Sequence, residues 1–84
     1  MADDGWESLV KNIESYNDAL TKNAKGTKAY TTALNNMTKD VKKIFGNSKA
    51  VTKDFVERNK ALINDMANGV EGAAEDVEEA ILRE

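Results

Sequence analysis

Apolar side chains recur every seven residues along the first half of this chain, and that spacing limits the possible folds more than any other feature. Trp6, Ile13, Leu20, Leu34 and Val41 share one column with Thr27 as its polar member. Three residues on, Leu9, Tyr16, Tyr30, Met37 and Ile44 share a second, in which Asn23 is the polar member. A 3-4 alternation of this kind places both columns on one stripe of an α-helix, the seam geometry of coiled coils and helical bundles. Ala19, Ala24, Gly26 and Ala33 flank the stripe and are small enough for a neighbouring helix to approach closely. The pattern predicts a first helix over about 4–45. Asn23, polar at a seam position, either sets register or oligomeric state at a cost in stability or faces a wet gap.

The run Gly46-Asn47-Ser48 interrupts the pattern. Gly and Asn tolerate the left-handed conformation that ends helices, and Ser is a good N-cap for the helix that follows. Beyond it Val56, Ile63, Val70 and Val77 again fall seven apart, supported by Phe55, Leu62, Met66, Ala73, Ala80 and Ile81. A second helix is therefore expected over about 48–83. Gly69 and Gly72 each cost a helix about 1 kcal/mol relative to Ala, so this helix should be weakest, or bent, between Met66 and Ala74.

Period-two alternation is absent over any useful length, which excludes strands and makes the fold class all-α. Two helices and a tight turn form an antiparallel helical hairpin, a single domain over 1–84. A hairpin of this size buries little surface by itself and ordinarily completes its core by dimerising into a four-helix bundle. A homodimer is therefore the expected state, with Trp6, Leu9, Ile13, Tyr16, Leu20, Tyr30, Leu34, Met37, Val41, Ile44, Phe55, Val56, Ile63, Val70 and Val77 as its packing interface. Trp6 doubles as a candidate contact for a partner, since Trp is favoured at binding hot spots. Tyr16 and Tyr30 are expected to pack their rings and direct their hydroxyls outward.

The 84 residues include no Cys, His or Pro. Disulfides, thiolate metal sites and the Ser-His and Cys-His catalytic groupings are thereby excluded, and no enzyme, cofactor or metal is expected. Glu71, Glu75, Asp76, Glu78 and Glu79 are spaced as neighbours on one helix face, which reads as a solvated acidic surface because no calcium-type loop accompanies them. The start, Met1-Ala2-Asp3-Asp4-Gly5-Trp6, is acidic and has none of the basic-then-apolar order of a secretory signal. No apolar run approaches the roughly 20 residues of a membrane span. A cytoplasmic location follows, with peripheral membrane attachment as its variant.

Charge is unevenly placed. Residues 11–60 hold eleven basic side chains against five acidic ones, whereas residues 61–84 hold seven acids against Arg83. In a hairpin turned at Gly46, Lys39, Lys42, Lys43, Lys49 and Lys53 gather at one tip, opposite the acidic ends. Three readings are open: ordinary solvated helix faces diluted by Asp40 and Asp54; a basic tip for an anionic membrane surface, each nearby Lys contributing about 1 kcal/mol; or a tip that meets the acidic end of a second copy. Nucleic acid is not expected, since the chain is acidic overall and shows no aromatic platform interleaved with the bases.

The stretch YNDALTKNAKGTKAYTTALNNM, residues 16–37, contains Tyr-x-x-Ala-Leu twice, fourteen residues apart, and Gly46-Asn47-Ser48-Lys49 and Phe55 follow. Over residues 13 to about 60 this resembles the first helices of BAR-superfamily domains, most closely the I-BAR (missing-in-metastasis homology) branch. The resemblance implies an elongated dimer that binds or shapes membranes through basic residues, here Lys39, Lys42, Lys43, Lys49 and Lys53. BAR domains are built from at least three long helices per chain, and this sequence has room for two. The length, acidity and mid-chain turn are also similar to the small WXG-type proteins of type VII secretion, which implies export together with a helical protein partner. Ile44-Phe45-Gly46 stands where that family has Trp-x-Gly, and its C-terminal export signal has no clear counterpart here. A membrane scaffold, a secreted WXG-type hairpin and a plain coiled-coil adaptor are the functional expectations.

Overall fold

Both apolar patterns fold as helix, but in five segments. The computed structural model describes residues 5–22 and 26–84 and contains α1 (Trp6–Thr21), α2 (Lys28–Ile44), α3 (Lys53–Arg58), α4 (Lys60–Ala67) and α5 (Ala73–Arg83), with no strand among the described residues. The all-α class stands. The hairpin of two long helices turned near Gly46–Ser48 does not.

The predicted first helix over 4–45 is divided. α1 stops at Thr21 with Lys22 as its C-cap, Gly26 is left-handed at φ +87°, and Thr27 is extended, its hydroxyl accepting the Tyr30 N–H at 3.4 Å to cap α2. Thr27 is the polar member of its heptad column, and a Thr hydroxyl competes for backbone N–H groups in a way that favours caps over helix interiors. Asn23 and Ala24 lie outside the described residues. Unbroken, 4–45 would be a rod of about 63 Å, twice the molecule's 31 Å long axis.

Gly46 and Asn47 do end a helix, with φ +80° and +62°. The Asn47 N–H returns to the Lys42 carbonyl and the Gly46 N–H to the Lys43 carbonyl at 3.4 Å, a Schellman closure of α2. Ser48 does not cap the next helix, because its Oγ accepts the Ala50 N–H at 3.2 Å. The cap of α3 is Thr52, whose Oγ1 accepts the Phe55 N–H at 3.1 Å. Between them Val51 is completely buried and pins the connection to the core. The second predicted helix, 48–83, is broken again at Asn59 and across 68–72. There Gly69 (φ +78°) closes α4 and Gly72 (φ +83°) opens α5, so the weak segment expected between Met66 and Ala74 is a full break. Val70, expected in the packing stripe, sits in that break and is 50% exposed.

α1 and α2 run antiparallel: Gly5 lies against Asp40 and Lys43, while Tyr16 stacks on Tyr30 farther along the pair. Leu9, Ile13, Tyr16 and Ala19 of α1 face Tyr30, Ala33, Leu34, Met37 and Val41 of α2. Phe55 and Val56 from α3, Ile63 and Met66 from α4, and Ala73, Val77, Ala80 and Ile81 from α5 complete one core. Trp6, Leu20 and Ile44 pack against it, partly buried. Each fully covered Leu, Ile, Phe or Val contributes about 1.5–3 kcal/mol relative to exposure. Most of the stripe is thus hidden within a single chain, and the radius of gyration, 12.0 Å, is that of a compact fold of this length, about 12 Å. The dimer expectation rests on a stripe that one molecule cannot cover, and most of that stripe is covered here.

Candidate functional site

Two polar groupings stand out on this scaffold. The first is internal. The Tyr16 and Tyr30 rings lie 5.2 Å apart at 31°, their hydroxyls 3.4 Å apart, and the Tyr30 hydroxyl donates to the Glu57 carboxylate. The hydroxyls therefore do not point outward as expected; they tie α1 and α2 to α3. The bond to Glu57, then the contact with Tyr16 and burial, hold the Tyr30 phenol protonated well above its ordinary range. A phenol so held is a poor nucleophile and a poor base at neutral pH. Sequence reasoning missed it because Glu57 falls outside both heptad columns.

The second grouping is the corner where α2 turns into α3. The last turns of α2 carry Lys39, Lys42 and Lys43, the connection carries Lys49, and Lys53 is the first residue of α3. Lys42 and Lys43 also complement the negative end of the α2 dipole. Among the described residues none of the five forms an ion pair; the salt bridges are Lys22–Asp18, Arg58–Asp54, Arg58–Glu84 and Arg83–Glu79. Of the two acids that interrupt these lysines in sequence, Asp54 is held by Arg58 at 3.0 Å and Asp40 is buried, accepting from Asn12 Nδ2 at 2.8 Å.

The five lysines do not share one surface. Lys39, Lys42 and Lys53 line a depression of about 510 Å³ with Thr32, Asn35, Asn36, Thr38 and Thr52. Lys39, Lys42 and Lys43 border a smaller one of about 310 Å³ with Asp40 and Asn47. Lys49 is exposed and lines neither. A third hollow of about 210 Å³ lies between α1 and α4, with Ile13, Tyr16, Leu20 and Met37 as its apolar lining.

The acids expected on the C-terminal helix lie along α5 and in the turn before it, where Glu79 meets Arg83 at 3.7 Å. Among the described residues no group of three or more such side chains is placed to hold a metal ion, and no helix is long and apolar enough to cross a membrane. No family profile, curated protein or solved structure matches this chain.

Proposed function

We propose that this chain is a non-catalytic helical module that docks on anionic membrane surfaces through the α2–α3 corner. One observation supports the reading: the lysines at the end of α2, in the connection and at the start of α3 have no ion-pair partners among the described residues, and Asp54, the acid beside Lys53, is engaged by Arg58. Cations left unpaired in this way attract anionic lipid within a Debye length. The acid at the C-terminal end of α5 that reaches α3, Glu84, is engaged there by Arg58 at 3.0 Å. A curved, rod-like dimer is not part of the proposal, since the longest helix among the described residues, α2 with 17 residues, spans only about 25 Å.

Co-sedimentation with phosphatidylcholine vesicles, with and without phosphatidylserine, tests this. The chain should sediment with the anionic vesicles, less so as salt rises. Replacing Lys39, Lys42, Lys43, Lys49 and Lys53 by Glu should lower the partition coefficient by at least about a thousandfold, at about 1 kcal/mol per lysine, with helicity retained. Sedimentation that survives those five changes refutes the proposal.

A further inference from the structure

We infer that the depression between α2 and α3 is a binding site for a compact cluster of phosphate groups. The inference rests on the docking reading for the choice of corner and goes beyond it by separating Lys39, Lys42 and Lys53 from Lys43 and Lys49. The lining of the larger depression is three lysines, three threonines and two asparagines, without a carboxylate or an aliphatic side chain. The smaller depression beside it includes Asp40, and the hollow along α1 includes Glu7 and Glu14.

The hydrogen bonds within this lining decide what remains for a ligand. Thr38 donates its proton to the Leu34 carbonyl at 2.8 Å and forms part of the wall. Thr52 uses its oxygen to accept the Phe55 N–H, which leaves its hydroxyl proton free to donate outward. Thr32 and Asn35 are exposed and Asn36 is half-buried, and all three line the depression. Lys39 and Lys42, three apart on α2, are neighbours on one helix face, and Lys53 enters from the first turn of α3. Three ammonium groups on one lining carry three positive charges, and an anion of single charge neutralises only one. A di- or triphosphate, or a ring bearing two phosphates, carries enough charge. Its oxygens accept from both ammonium and hydroxyl donors, and the depression, about 510 Å³ and open to solvent, has room for it. The ligand's source, free in solution or displayed on a lipid, is not fixed by this chemistry.

Isothermal titration of the full chain with sodium tripolyphosphate at physiological salt should show one site per chain. Two variants of equal charge loss separate a site from a diffuse field. K39Q/K53Q should weaken binding by at least about tenfold, and K43Q/K49Q by less than about threefold. Equal losses in the two variants, several weak sites, or no binding would overturn the inference. Sedimentation with phosphatidylserine vesicles, run in parallel, keeps the two readings apart. Vesicle binding without tripolyphosphate binding leaves the docking reading standing and removes this site. Tripolyphosphate binding at one site without binding to any vesicle keeps the site, assigns it a soluble ligand and removes the docking reading. Stronger sedimentation on vesicles of a bisphosphorylated inositol lipid than on phosphatidylserine vesicles of equal charge, reversed by free tripolyphosphate, supports the site and assigns it a lipid ligand.

Discussion

Replacing Gly26 by Ala distinguishes the observed fold from one long first helix by the sign of its effect. Inside an unbroken helix, Ala in place of Gly stabilises by about 1 kcal/mol. In the observed fold Gly26 is left-handed, immediately before the Thr27 cap. A Cβ built there meets nothing within 4 Å, so the penalty is that of the backbone alone, about 1–2 kcal/mol for an L residue. The narrower unfolded ensemble of the Ala variant returns roughly 0.4–1 kcal/mol of this. The net expectation is a loss of about 1 kcal/mol, which in a domain of this length lowers Tm by about 4–8 °C. Gly5→Ala should lose more, since its Cβ would also stand 3.1 Å from the Asp40 carbonyl oxygen at φ +83°. Thermal and urea melts followed by circular dichroism give both values. A Gly26→Ala variant that melts at or above the parent temperature would show that no left-handed break exists there, and the division of α1 from α2 would be wrong.

Thr52→Ala should destabilise the chain by about 1 kcal/mol and Ser48→Ala by a few tenths, because Thr52 caps α3 and Ser48 does not; urea midpoints that rank them the other way would return the cap to Ser48. Tyr30 makes stability depend on pH at the alkaline end. Its folded pKa is raised by the bond to Glu57 and the contact with Tyr16, so this stabilisation is fully present below about pH 10, the unfolded phenol value, and is lost as pH rises toward the folded one. Tyr30→Phe should therefore flatten the decline of the urea midpoint above pH 10, and an unchanged decline would place the titrating group elsewhere.

The heptad columns made the buried face legible but not its partner. Trp6 to Ile44 reads as one continuous stripe because α1 and α2, folded antiparallel, each turn the same stripe toward the other, and the columns keep their spacing across the break. A long helix docked on a second copy and a short pair docked on itself thus share one apolar pattern. What separates them is local chemistry: a glycine free to be left-handed at 26, followed by a hydroxyl able to cap at 27. The same logic misplaced the α3 cap. Ser48 and Thr52 are both good caps by type, and the choice follows from the connection, in which Ser48 closes a turn onto the buried Val51 and the chain becomes extended at Thr52. Glu57 escaped notice because a carboxylate beside apolar positions looks solvated until a Tyr hydroxyl arrives from another helix.

The lysines were legible as a group because they are close in sequence, but sequence order cannot say which of them share a cavity. The Schellman closure at Gly46–Asn47 and the Val51 anchor bring Lys53 beside Lys39 and Lys42 and leave Lys49 outside. Most of the apolar stripe is covered, with Val70 and Leu82 the large hydrophobic side chains left exposed among the described residues, and the recognition proposed above is sought among charged and hydrogen-bonding groups. Lys39, Lys42 and Lys53 around a lining without carboxylates concentrate that chemistry most strongly, since each added cation raises the attraction for a multiply charged ligand while the neighbouring Thr and Asn donors give it direction. If the corner acts only as a diffuse field, any two of its lysines are interchangeable. The geometry makes them unequal, and that inequality is what K39Q/K53Q against K43Q/K49Q measures.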